Sequence, residues 1–203
     1  MKNPNKTVAM IGSASAVAGS FLWSDAYSAG LLLGNSGWTV AHGGNVGLMH
    51  AAALGAAKGG ANWLAGRDPE EDHPPISVLA YSDYLSNEER AIPRPDKDLS
   101  NQQYFTRLDS LLQCDAFIAM PGGYGTMLEI MLIAQAMQTK RISKKPFYVC
   151  GREHRHTLQI MMRDARKADY IGPGDIFHEY VDYPTEAANK LCMLAMFADI
   201  QPL

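Results

Sequence analysis

The sequence predicts an α/β fold, a doubly wound parallel sheet formed by a single domain that spans residues 1–203. Short apolar runs, typical of buried strands, alternate with longer helical segments along the chain. Three of these runs end in turns of small residues and glycines that open into helices, at 12–15, 42–47 and 121–126. Ligands bind beyond the carboxyl ends of parallel strands. We therefore expect the three turns to converge on one nucleotide-sized ligand.

Each predicted strand is a short, mostly apolar run bounded by turn-forming or charged residues. In chain order the predicted strands are Thr7–Ile11, Trp38–Ala41, Ala61–Ala65, Ile76–Tyr81, Ala116–Met120, Phe147–Cys150 and Ile176–Val181.

The predicted helices end at glycines or follow capping residues. The predicted helices cover 25–33, 51–57, 101–113, 127–136, 155–168 and 184–198. The first stops near 34–37 and the second ends at Gly59–Gly60. The third follows an N-cap at Asp98 or Ser100. Residues 1–6 are predicted to be a polar tail, 66–75 a surface loop and 83–100 an irregular excursion.

Composition excludes several classes of protein. With 47% hydrophobic residues, the chain can bury a sizeable core. Its net charge of −3 gives no general attraction to nucleic acid or to a membrane surface. The three cysteines are widely spaced, which predicts no zinc site and no disulfide framework. The start lacks a signal-peptide pattern and no apolar run has membrane-spanning length, so we expect a cytoplasmic protein. We also expect that it needs no metal and no cofactor.

We predict that the stretch Asp115 to Glu129 forms the centre of the ligand site. An apolar run ends at Pro121, and Gly122, Gly123, Tyr124, Gly125 and Thr126 follow before an apolar helix. The free N–H groups of such a turn, with the helix dipole, favour a phosphate. Thr126 adds a hydroxyl donor. Glu129 is predicted in the first helical turn, at the mouth of the pocket, where it suits sugar hydroxyls or a cationic centre.

The other two turns supply the remaining predicted ligand contacts. These are Gly12 and Ser13 after the first strand, and Gly43, Gly44 and Asn45 after the second. A glycine turn before a helix is common, and a bare GGxG has near even odds of being only structural. The full string P-G-G-x-G-T-x-x-E directly after a strand is far more specific.

The string from Pro121 to Glu129 resembles the PGGxGTxxE signature of the Lonely Guy family of cytokinin riboside 5′-monophosphate phosphoribohydrolases, often labelled "lysine decarboxylase". The string Gly43 to Met49 is similar to that family's GGGxxGLMG element. The turn at Ile11-Gly12-Ser13 and the order of Lys145-Pro146, Tyr170-Ile171 and 181–184 also fit, so the resemblance covers most of the chain.

The resemblance implies a Rossmann-like fold, a homodimer or larger homo-oligomer, and hydrolysis of the N-glycosidic bond of a nucleoside 5′-monophosphate. The products would be a free base and ribose 5-phosphate. Because this cleavage develops positive charge on the ribose, Glu129 is the predicted catalytic carboxylate. The phosphate would lie on the N–H groups of 122–126.

The chain departs from the family pattern where the family supplies an arginine. That position is Thr106 here, and Arg107 lies one residue closer to the motif. One residue rotates a helical side chain by about 100°. Either a one-residue deletion in the connection returns Arg107 to the pocket as a catalytic cation, or Arg107 is a surface residue.

Other departures concern histidines and one acid. In the family's GGGxxGLMG element, His42 stands in place of the first glycine and His50 in place of the last. We expect His42 to be a hydrogen-bonded structural residue. Leu128 stands where the family has the first of two acids. His154, Arg155 and His156 are expected in a solvated charged loop. The apolar length of 127–137 exceeds what one sheet face requires, which favours burial against a second subunit.

Two function classes stay open. The first is the phosphoribohydrolase, favoured by Glu129. The second is a non-catalytic protein on the same fold that binds a nucleotide or the molybdenum cofactor, favoured by the shifted arginine. An NAD-dependent oxidoreductase has little support because no G-x-G-x-x-G follows the first strand. Lysine decarboxylase activity has none, because no pyridoxal-phosphate lysine motif is present.

Overall fold

The computed structural model describes residues 6–44, 46–64, 78–80, 97–98 and 104–198. Within these ranges, seven strands form one sheet, and every adjacent pair of strands is parallel. The predicted α/β doubly wound, Rossmann-like fold is therefore confirmed. The strands are β1 Thr7–Ile11, β2 Thr39–His42, β3 Val78–Ala80, β4 Lys97–Asp98, β5 Ala116–Ala119, β6 Phe147–Cys150 and β7 Glu179–Val181.

Helices cover both faces of the sheet. They are α1 Phe21–Asn35, α2 Leu48–Leu64, α3 Tyr104–Leu111, α4 Tyr124–Gln138, α5 Arg152–Lys167 and α6 Pro184–Ala198. Successive strand residues point to opposite faces, so Val8 and Met10 join the core under α1, α2 and α6, whereas Ala9 and Ile11 join the core under α4 and α5. None of the described helices has both the length and the apolar character needed to cross a membrane.

The strand order is β4-β3-β2-β1-β5-β6-β7, so the direction of winding reverses between β1 and β5. In open parallel sheets this reversal opens a crevice at the carboxyl ends of the two strands. The loops that follow β1 and β5 are the turns at 12–15 and 121–126. The topology therefore brings two of the three predicted turns to the place where ligands bind in this class of fold.

The predicted strand at 61–65 is wrong, because residues 61–64 form the last turn of α2. The prediction took Gly59 and Gly60 for a helix end. Instead Gly59 packs against α1, where a Cβ would lie 2.5 Å from the Leu31 carbonyl oxygen. Glycine is needed there for close helix packing, and the helix continues past it.

Other boundaries move by a few residues. The predicted helix 101–113 ends earlier, at Leu111, while 101–103 lie outside the described residues. Asp98, one of the two residues proposed as its N-cap, belongs to β4. Thus part of the predicted irregular excursion at 83–100 is a strand paired with β3. The strand after α5 begins at Glu179 rather than Ile176. The loop 66–75, the tail 1–5 and most of 83–100 lie outside the described residues.

Candidate functional site

Hydrogen bonds from Ser13 join the three turns at the carboxyl edge. The Ser13 N–H donates to the Pro121 carbonyl at 2.9 Å, and the Ser13 carbonyl accepts from the Leu48 N–H at 2.9 Å. Its Oγ accepts from the Ser15 N–H at 3.0 Å. The three turns therefore converge as expected. Ser13, predicted as a phosphate contact, has its backbone N–H already engaged in holding these turns together.

Glycines allow the turns to approach one another. A Cβ at Gly12 would lie 2.9 Å from the Met120 Cβ, and one at Gly43 would lie 3.1 Å from the Met49 Sδ. Gly47 has a φ of +74°, and its Cβ would lie 2.4 Å from the Ser13 carbonyl oxygen. Gly44 also has positive φ, at +77°. These glycines shape the site through packing and turn conformation. Asn45, the other ligand contact predicted in the second turn, lies outside the described residues.

The N-terminus of α4 is open. Gly123 is the N-cap and supplies no side-chain cap. A Cβ at Gly123 or Gly125 would meet no atom of the described residues within 4 Å, and the Tyr124 side chain is 98% exposed. Among the described residues, the backbone N–H groups of 123–126 have no hydrogen-bond partner. Free N–H groups at the positive end of a helix dipole form an anion site.

Gly122 and Thr126 pack closely together on the buried side of this turn. A Cβ at Gly122 would lie 2.9 Å from the Thr126 Cβ and 3.0 Å from the Ser13 nitrogen. Thr126 is 4% exposed. Gly122 is thus required by close packing between the first and third turns. Gly123 and Gly125 instead leave space in front of the helix.

Glu129 lies in the second turn of α4, not the first as predicted, because the helix begins at Tyr124. Residues three and four apart share a helix face, which places Glu129 in line with Thr126 and Gly125. Side chains in a helix tend to lean toward its N-terminus, so we expect the Glu129 carboxyl to lie on the side of the open end. Partial burial raises the pKa of Glu129 to about 7. A carboxyl group with this pKa can exchange a proton near neutral pH.

His42 is a structural residue, as expected. Its Nδ1 accepts a 2.9 Å hydrogen bond from the Gly44 N–H, which holds the second turn. Burial, with a smaller contribution from the nearby His50, lowers the pKa of His42 to about 4, so the ring is neutral. A neutral ring that accepts at Nδ1 carries its hydrogen on Nε2. The pKa of His50 is also lowered by burial.

The expected charged loop at His154–His156 is wrong, because α5 begins at Arg152. His154 is 5% exposed, and its Nε2 lies 3.1 Å from the Gly122 carbonyl oxygen. Arg155 pairs with Asp182 at 3.2 Å and lies over the Tyr180 ring. The sequence analysis missed the contact of His154 with the glycine motif. Its signal is the position of His154, four residues after the carboxyl end of β6.

Arg107 lies on α3, and its side chain is outside what the structure describes. The two alternatives for this residue therefore stay open. Among the described residues, no group of three His, Cys, Asp or Glu side chains could hold a metal ion. All three cysteines are buried, and none of them forms a disulfide.

The fold is shared with solved structures of low sequence identity. A molybdenum cofactor binding protein from the phototrophic bacterium Rippkaea orientalis is 19% identical, with a TM-score of 0.61 over 95% of this chain and 98% of that chain. A molybdenum cofactor carrier protein from Chlamydomonas reinhardtii is 16% identical, with a TM-score of 0.59 over 95% and 99%. No curated protein matches the chain.

A family model described as "Possible lysine decarboxylase" matches residues 49–191. The match covers most of the 203 residues and includes the glycine turn at α4 and Glu129. The chain therefore belongs to the possible lysine decarboxylase family, the Lonely Guy family whose PGGxGTxxE motif it resembles.

Proposed function

We propose that this protein is a nucleoside 5′-monophosphate phosphoribohydrolase, which hydrolyses AMP or a cytokinin-type riboside monophosphate to the free base and ribose 5-phosphate. One observation carries the proposal: an open anion site and a partly buried carboxyl group lie on the same face of α4. The N–H groups of 123–126 suit the phosphate. Glu129 lies one turn further along, about the distance from a 5′-phosphate to the ribose ring.

In the proposed reaction the bond between the base and the ribose C1′ breaks, and positive charge develops on the ribose. The ionised Glu129 carboxylate stabilises that charge and orients the attacking water or the ribose hydroxyls. The base leaves with the bonding electron pair and takes up a proton, while the water oxygen forms the new bond to C1′. Binding of the phosphate at the helix N-terminus holds C1′ near Glu129.

The test follows release of free base and ribose 5-phosphate from AMP and other nucleoside 5′-monophosphates by the purified protein. We expect release by the wild type and a loss of at least about 100-fold in Glu129→Gln, which keeps the shape and removes the charge. Glu153→Gln is the matched control, because Glu153 is an exposed carboxylate in the first turn of α5. Equal activity in wild type and Glu129→Gln would contradict the role of Glu129.

A second candidate is a non-catalytic protein that binds a nucleotide or the molybdenum cofactor. It is favoured by Thr106 at the position where the family has arginine. The two solved structures described above are also of proteins that bind or carry this cofactor, although their low identity shows only the fold. Thermal stabilisation by AMP without any release of base would favour this candidate.

We also propose that α4 contributes to a homodimer or larger homo-oligomer. Ile130 and Ile133 are buried in the core, yet Leu128 is 47% exposed on the same apolar helix. Leu128→Glu should shift the sedimentation coefficient toward that of a monomer. Met193→Glu is the control, since Met193 is 56% exposed on α6, at the other face of the sheet. A wild-type monomer at micromolar concentration would contradict the proposal.

A further inference from the structure

A hydrogen bond connects α5 to the glycine turn in front of α4. His154 Nε2 lies 3.1 Å from the Gly122 carbonyl oxygen. A carbonyl oxygen can only accept, so Nε2 carries the hydrogen and donates it. The other ring nitrogen, Nδ1, is buried and has no hydrogen-bond partner among the described residues. The contact with Gly122 is therefore the only hydrogen bond assigned to this ring in the described part of the chain.

The peptide plane transmits the effect of this bond to the anion site. In a trans peptide the C=O and the following N–H point in opposite directions. Because His154 holds the Gly122 carbonyl on the α5 side, the Gly123 N–H points away from α5. That N–H belongs to the N-cap residue of α4 and has no partner among the described residues. We propose that His154 is a positioning residue, which aims the Gly123 N–H at the phosphate of the ligand.

The backbone around His154 is built for this close approach. Gly151, the N-cap of α5, has a φ of +91°, and a Cβ there would lie 2.9 Å from the Pro121 Cγ. The start of α5 is therefore packed directly on the first residue of the motif. His154 is one turn into α5, and its side chain is 5% exposed, so the donor side of this part-buried hydrogen bond is shielded from solvent. A hydrogen bond in such surroundings is electrostatically stronger than one in water.

The inference rests on the proposed anion site but not on bond cleavage, so binding of inorganic phosphate tests it. His154→Leu removes the donor and keeps an apolar side chain in the buried position. His154→Gln keeps an N–H donor at a similar distance from the backbone. His156→Leu is the matched control, because His156 is exposed two residues further along α5. Calorimetric titration gives the phosphate Kd, and thermal unfolding gives the Tm of each variant.

We expect His154→Leu to weaken phosphate binding about tenfold, and His154→Gln to bind within about threefold of wild type. His156→Leu should bind like wild type. Unchanged phosphate affinity in His154→Leu would overturn the inference. A wild-type protein that binds no phosphate would overturn it as well. A purely structural role would lower the Tm and the affinity of both His154 variants alike, with no rescue by Gln. Phosphate binding that depends on His154 in a protein without hydrolase activity would support the inference and contradict only the proposed reaction.

Discussion

Two sets of glycines in this protein serve opposite purposes. Where α1 crosses α2, a Cβ at Gly30, Gly34, Gly55 or Gly59 would lie 2.0–2.5 Å from a backbone oxygen of the other helix. At the N-terminus of α4, a Cβ at Gly123 or Gly125 would meet no atom within 4 Å. The first set lets two backbones touch. The second set leaves space in front of N–H groups that have no partner among the described residues.

The comparison shows why a glycine in a sequence does not reveal its own function. Gly30 and Gly34 are four residues apart, as are Gly55 and Gly59, so each pair lies on one helix face. Small residues at this spacing allow close helix packing. The glycines at 122–125 instead follow a buried strand at the ligand edge. The surroundings decide the function: Gly122 is needed for packing like the helix glycines, whereas Gly123 and Gly125 leave space at the ligand edge.

The largest effect is expected at the helix contact. In Gly55→Ala the new Cβ would lie 2.0 Å from the Tyr27 carbonyl oxygen and 2.8 Å from the Leu31 nitrogen. Neither backbone atom can move without separating α1 from α2, so we expect a loss of at least about 3 kcal/mol in the free energy of unfolding. Urea denaturation measures it. Gly125→Ala is the control, and a similar loss in both variants would contradict the distinction between the two sets.

At α4, the partly buried Glu129 carboxyl lowers the free energy of unfolding when it ionises. Its pKa in the folded protein, about 7, lies above the ordinary carboxyl value of 4.5 because the group is partly buried. The folded state therefore favours the protonated form, and stability present below about pH 4.5 is lost as the pH rises to about 7. Glu129→Gln cannot ionise, so it should be more stable than wild type at pH 8 by up to about 3 kcal/mol, with no gain at pH 4.

Urea denaturation across this pH range measures the difference between Glu129→Gln and wild type. The same ionisation governs the proposed reaction, so kcat/KM for AMP should rise with pH through about 7. A pH-independent difference between Glu129→Gln and wild type would show that burial does not perturb this carboxyl group.

A smaller effect is expected when the space in front of α4 is filled. Gly123→Ala and Gly125→Ala should each weaken phosphate binding about tenfold, because the added methyl group occupies the approach to the N–H groups. Their stability should change by less than about 1 kcal/mol, since the methyl group meets no atom of the described residues within 4 Å. Calorimetry and urea denaturation measure the two quantities. Wild-type phosphate affinity in both variants would place the anion elsewhere.

The sequence predicts local features of this molecule better than contacts between distant segments. The strands 7–11 and 147–150 and the helix 184–198 match the structure because their apolar patterns are self-contained. The helical turn at 61–64 was missed because contact with α1, not local propensity, keeps the glycine-containing α2 helical. The burial of His154 was missed because its partner, Gly122, is 32 residues away. Glu129 was predicted to lie on α4, which is correct, but it lies in the second helical turn because α4 begins at Tyr124.

The smallest effect separates backbone conformation from contact. Gly19 has a φ of +80°, yet a Cβ there would meet no atom within 4 Å. It therefore shares the open surroundings of Gly123 and differs from Gly55 in having no close neighbour. Gly19→Ala should cost only the strain of a left-handed residue, about 1 kcal/mol in urea denaturation, with no change in phosphate affinity. A loss as large as in Gly55→Ala would mean that conformation, rather than the α1–α2 contact, explains the cost of replacing these glycines.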